Sequence, residues 1–104
     1  MTEYHKLVRD KIPDIIRRSG EIPHTRVLSD EEYAILLERK LDEEVGEYHA
    51  GKDAEELADI LEVVLALADQ IGCSRQMLME IYQQKHDARG GFAGKCFLIS
   101  KSKK

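Results

Sequence analysis

The chain has 104 residues with 42% hydrophobic and 35% charged, the proportions of an ordinary soluble domain and enough for one compact unit with a modest core. No apolar run reaches the roughly 20 residues of a membrane-spanning helix, which argues against a membrane protein. Charge is uneven: Ser29–Glu62 holds thirteen Asp/Glu against three Lys/Arg, a net of −10, while the remainder carries +6, giving the overall −4. An acidic centre with basic flanks argues against binding a nucleic-acid polymer, which asks for a continuous basic face.

The first residues, "MTEYHKLVRDKIP", contain no signal-peptide apolar region, so the expected compartment is the cytoplasm. "DKIPDIIRRSG" predicts a first helix, capped by Asp10, with Pro13 tolerated in the first turn and Gly20 as its stop. Pro23 then favours extended chain, with a short strand expected near Thr25–Leu28. Ser29 and Glu32 form a capping-box pattern that opens a long second helix to about His49, broken by Gly51. Asp53 caps a third helix reaching about Ile71, with Gly72 as its stop. Ser74 caps a fourth, ending at "RGG", and "KCFLIS" reads as a second strand able to pair with the first. The expectation is a single all-α domain over residues 1–104, a four-helix core with a short two-stranded ribbon, and a basic, disordered tail at 101–104. Cys73 and Cys96 follow no metal-ligand spacing and read as free thiols. His5, His24, His49 and His86 are scattered and receive no ligand role.

Helical geometry, at about 100° per residue, shows where the acids of the central helices point. On the second helix Tyr33, Leu37, Leu41, Val45 and Tyr48 form the apolar stripe. Glu44 falls inside it, about 20° from Leu37, and Glu47 lies on its edge. On the third helix an apolar arc of about 200° runs through Ile60, Leu61, Val64 and Leu67. Glu56 sits within that arc and Asp59 beside it, whereas Glu55, Glu62 and Asp69 form the wet face. Two i,i+3 carboxylate pairs therefore lie on or beside apolar faces of antiparallel neighbours, near the turn joining them. Four ionised carboxylates in a partly buried place require a cation, because desolvation and mutual repulsion both oppose them. All-oxygen ligands suit a hard ion such as Mg²⁺. The competing reading pairs Glu44 with Lys40 one turn back and makes Glu56 part of the Asp53 cap.

"EEVGE" followed by "ELAD" resembles the E-E-x-x-E…E-x-x-D signature of MazG-like, all-α nucleoside triphosphate pyrophosphohydrolases. "KLVRDKIP" and "KHDARGGF" resemble a house-cleaning subgroup acting on noncanonical nucleotides, related to phosphoribosyl-ATP pyrophosphohydrolase. The likeness covers about residues 4–99. It implies Mg²⁺-dependent (alternatively Mn²⁺-dependent) cleavage of a nucleoside triphosphate to monophosphate and pyrophosphate. It places Glu44, Glu47, Glu56 and Asp59 as metal ligands and Glu43 as the leading, catalytic acid that orients water or a second ion, with Glu43 or a neighbouring carboxylate accepting the water's proton. Mg²⁺ suits phosphoryl transfer, which asks for positioning and charge stabilisation and not for a protein nucleophile. Basic residues should meet the phosphates: Lys85 and Arg89 at the end of the fourth helix and, as weaker candidates because N-terminal basic residues are usually just solvated, Lys6, Arg9 and Lys11 near the start. For Lys85 and Arg89, complementing the helix C-terminus weighs equally.

The wide apolar arc of the third helix favours a homodimer, or a dimer of dimers, burying the excess. Three rivals stay open: phosphoribosyl-ATP hydrolysis, a non-catalytic oligomerisation module, and a nucleotide or divalent-ion sensor without turnover.

Overall fold

A computed structural model describes all residues, 1–104, as four helices and no strand. The first, α1, spans Ile12–Arg18; α2 spans Asp30–Gly51, α3 Ala54–Gln70 and α4 Arg75–Arg89. The protein is all-α, as the periodicity predicts.

The ends of the helices follow local chemistry. The Ser29 hydroxyl accepts from the Glu32 backbone N–H at 3.2 Å, and Glu32 accepts in return from the Ser29 N–H at 3.2 Å. This closes the expected capping box. Asp53 accepts from the Glu56 N–H at 3.0 Å and Ser74 from the Met77 N–H at 3.2 Å, so α3 and α4 start on their predicted caps. The helix α3 closes with Cys73 donating to the Ala68 carbonyl and Gly72 donating to that of Asp69. That pattern requires the positive φ of +76° at Gly72.

Asp10 does not cap α1. Lys11 takes that place without any side-chain hydrogen bond. The second helical position is Pro13, which has no N–H to offer a capping side chain, and the Arg9 carbonyl already accepts from the Ile12 N–H.

The expected ribbon is absent. Thr25–Leu28 and residues 95–100 both lack strand structure and are not paired to one another. Their sequence favours extension, but a ladder exists only where two backbones meet, and an isolated two-stranded hairpin is marginal even then. In residues 92–100 the sole backbone hydrogen bond is a local turn, Lys95 to the Phe92 carbonyl.

Only the α2–α3 hairpin has an interior. Leu37, Val63 and Ala68 are its buried apolar residues, and Glu44 is the one other buried side chain. Tyr33, Leu41, Val45 and Tyr48 flank Leu37 and Glu44 half-buried, as the helical projection of α2 requires. Leu57 and Leu61, on the same arc of α3, stay half exposed, and α4 buries none of its residues. The result is elongated, 66 × 31 × 21 Å. Its radius of gyration is 18.6 Å, where a compact domain of this length has about 13 Å. No helix is long and apolar enough to cross a membrane.

Candidate metal centre

The connection between α2 and α3 is two residues, Lys52 and Asp53. Lys52 takes a left-handed conformation, φ +53°, and its N–H donates to the Tyr48 carbonyl at 2.7 Å, which reverses the chain at once. The reversal lays the last turns of α2 against the first turns of α3. Gly51 lies beside Glu56: a Cβ there would meet Glu56 Cγ at 3.5 Å, an ordinary contact distance.

The tight turn gathers the four predicted ligands. Glu44 and Glu47 from α2 and Glu56 and Asp59 from α3 each offer one carboxylate oxygen, and these four atoms lie within 4.8 Å of one another. Glu44 is only 7% exposed. Its Oε1 faces the Lys40 Nζ at 3.3 Å, the pair anticipated as the competing reading. Its Oε2 is buried with no hydrogen-bond partner, and so is Glu56 Oε2. Lys40 thus satisfies one oxygen of the buried acid and leaves the other aimed among carboxylates. Buried acceptors are nearly always partnered, so two orphans in one group single it out as a candidate cation site.

The electrostatics agree. Burial pushes the Glu44 carboxyl above its ordinary range; Lys40 opposes this and the Glu47 charge adds to it. Burial also raises Glu56, helped by the charges of Asp53, Asp59, Glu44 and Glu55. Both acids carry protons more readily than free carboxylates because burial disfavours their charged form and neighbouring carboxylates add to that. The donor set is all oxygen and anionic, so this group of four could hold a hard divalent cation.

Basic side chains surround the group. Lys6 Nζ lies 3.4 Å from Glu43 Oε1, and Lys40 Nζ lies 3.3 Å from Glu43 Oε2. Arg9 donates to Asp59 Oδ1 at 3.1 Å and reaches Glu62 Oε1 at 3.6 Å. Two of the predicted phosphate contacts, Lys6 and Arg9, are therefore at the acidic group. Of the others, Lys85 and Arg89 sit exposed on the last turns of α4 and pair with no carboxylate. Glu43 is outside the four-carboxylate group, with each of its oxygens facing a lysine. The residue that the sequence reading underweighted is Lys40, at only 15% side-chain exposure. Its i,i+3 and i,i+4 spacing to Glu43 and Glu44 is the signal that points to it.

The chain is 58% identical over 45 residues to an uncharacterized protein of Mycolicibacterium smegmatis. That match covers 43% of this chain and 46% of the relative, less than half of either. No family model matches the chain, and no solved structure matches it.

Proposed function

We propose that the protein is a Mg²⁺-dependent nucleoside triphosphate pyrophosphohydrolase, releasing a nucleoside monophosphate and pyrophosphate. The observation that carries this reading is the pair of buried, unpartnered oxygens, Glu44 Oε2 and Glu56 Oε2, within four converging carboxylates. The likeness of "EEVGE…ELAD" and its flanks to MazG-like enzymes supports the choice of reaction.

Glu44, Glu47, Glu56 and Asp59 would hold the ion. When bound it would neutralise phosphate charge and make a water molecule more acidic. The chain's own groups do the rest. Glu44 is fixed by Lys40 and by burial on α2, so its free oxygen needs little reorganisation to bind. Arg9, ion-paired to Asp59 and 57% exposed, is placed to transfer its guanidinium to a phosphate arriving over the carboxylates. Lys6 is placed similarly beside Glu43. Glu43 would accept the proton of the attacking water once Lys6 moves to the phosphates.

Binding without turnover is a second reading, and one observation favours it: both oxygens of Glu43, the proposed base, face lysines. A single experiment separates the two. The protein is incubated with Mg²⁺ and a panel of canonical and modified nucleoside triphosphates, and the products are resolved by chromatography. Monophosphate with pyrophosphate is the expected result. A diphosphate product would overturn the assignment of the cleaved bond. Nucleotide binding with no product would establish the sensor.

A further inference from the structure

Three cations border the acidic group, and burial sets one of them apart. The side chains of Lys6 and Arg9 are 44% and 57% exposed, that of Lys40 only 15%. A lysine is rarely so enclosed unless its ammonium is paired. Lys40 is paired twice: its Nζ donates to Glu43 Oε2 at 3.3 Å and stands 3.3 Å from Glu44 Oε1. The two acids are consecutive on α2, and their i,i+3 and i,i+4 spacing brings both onto the turn that carries Lys40. One ammonium thus joins Glu44, a member of the four-carboxylate group, to Glu43 just outside it. Each acid is held by one oxygen and keeps the other. Glu44 Oε2 is buried without a partner, and Glu43 Oε1 faces the exposed Lys6 at 3.4 Å. The cations therefore differ in freedom. Lys6 and Arg9 can turn to an incoming anion from positions already in solvent. Lys40 cannot leave without stranding Glu44, whose side chain is 9% exposed, beside three further carboxylates.

We infer that Lys40 is the positioning residue of this centre: it holds Glu44 and Glu43 as one unit, keeping Glu44 Oε2 among the carboxylates for an ion and leaving Glu43 Oε1 as the oxygen released when Lys6 turns to a phosphate. The inference rests on the proposed reading of the four carboxylates as a metal centre and of Glu43 as base. It gives Lys40 a role opposite to that of Arg9. Any cation beside the group repels a divalent ion, so a lysine that only neutralises a buried acid competes with the metal, and removing it tightens metal binding. A group that orients a ligating carboxylate acts the other way, and its loss costs about 10–100-fold in metal affinity or activity. The sign of the change decides between the two roles.

Titration calorimetry of the full chain with Mg²⁺ alone reads that sign on wild type, Lys40→Met and Lys40→Arg. Methionine keeps an unbranched stem without the charge, and arginine keeps the charge and the donors. Lys40→Met should bind Mg²⁺ roughly tenfold more weakly or worse, and Lys40→Arg should recover most of the loss. With Mg²⁺ saturating each protein, Lys40→Met should lower kcat by about tenfold or more with little change in KM for a nucleoside triphosphate. Lys6→Gln should instead act mainly on KM. Circular dichroism checks that helicity is kept; should Lys40→Met not fold, Lys40→Gln, which retains a donor, takes its place with the same expected sign. Unchanged or tighter Mg²⁺ binding in the neutral variant overturns the inference and leaves the metal centre standing. A wild type that binds no Mg²⁺ overturns both. Weakened binding in a protein that releases no pyrophosphate supports the hold of Lys40 on Glu44 and refutes hydrolysis alone.

Discussion

The two ends of α2 treat the same residue type in opposite ways. At its start, Glu32 is answered in full by the chain. Arg26 donates to both carboxylate oxygens, at 3.1 and 2.7 Å, and the Ser29 N–H adds a third bond. Arg26 first, then the Ser29 N–H, pull the Glu32 carboxyl down to about 2. Near its other end, Glu44 has one lysine, an orphan oxygen and three carboxylate neighbours, and its carboxyl is pushed up. The comparison separates an acid that the chain satisfies in full from one whose second oxygen it leaves unpartnered. Composition is blind to that distinction, because both belong to the same acidic run.

The largest effect should come from Glu44→Gln. The amide that replaces the carboxylate can still accept from Lys40, and one repulsive charge is gone, so the metal-free variant should melt no lower than wild type. Turnover should fall roughly hundredfold or more, since even outer partners of a metal ligand are worth about 10–100-fold. If the variant is instead destabilised and keeps near-normal turnover, Glu44 belongs with Glu32 as a fold residue and the contrast disappears.

Next in size is the response to Mg²⁺. At a hundredfold excess over Kd, a ligand that binds only the native state adds about 2.7 kcal/mol. Wild-type melting temperature should rise accordingly. The Ser29→Ala variant should start lower, by about 1 kcal/mol for a lost cap, yet show the full Mg²⁺ increment. Glu44→Gln should show little of it. Equal increments in all three would place the ion elsewhere.

Arg9→Gln sharpens the contrast further. It frees Asp59 from its guanidinium, so Mg²⁺ alone should bind several-fold tighter, on the scale of an exposed ion pair worth about 0.2–1 kcal/mol. Nucleotide with Mg²⁺ should bind more weakly, because a phosphate contact is gone. Titration calorimetry with and without nucleotide checks both signs. A loss in both would make Arg9 a purely structural tie.

The smallest effect is on pH dependence. Glu32 has a lowered carboxyl, so its contribution is complete above the ordinary 4.5 and is lost as pH falls toward about 2. Glu44 and Glu56 have raised carboxyls, so the native state holds protons that the unfolded chain has released. Stability of the metal-free protein should therefore fall as pH rises through the window above 4.5. The two trends give a maximum near the ordinary carboxylate value. Saturating Mg²⁺ should abolish the high-pH decline and leave the acid limb unchanged. Denaturant titrations from acidic to neutral pH check this.

What the sequence disclosed divides by range. Caps at Ser29, Asp53 and Ser74 and the stop at Gly72 need only neighbours within a few residues, and each is where the pattern puts it. Glu44 was legible because a charged residue breaks a 3.6-residue apolar rhythm. The convergence of four carboxylates followed from that rhythm plus a short turn. Lys6 on Glu43 and Arg9 on Asp59 span 37 and 50 positions, and no periodicity encodes so distant a contact. The strands expected at Thr25–Leu28 and 95–100 misled because β-propensity reports readiness to pair while the partner decides. Asp10 misled because Pro13 removes the N–H that a cap would hold.

The two-residue connection at Lys52 and Asp53 also bears on the order of assembly. All four carboxylates fall between Glu44 and Asp59, a span of sixteen residues. Contacts so close along the chain need little loop-closure entropy and form early, as in other structures rich in local contacts. If the hairpin forms first, the mutual repulsion of these acids is met at that step. Divalent cations should accordingly accelerate refolding, beyond slowing unfolding, and the slope of the folding limb with Mg²⁺ concentration would report how much of the site exists in the transition state.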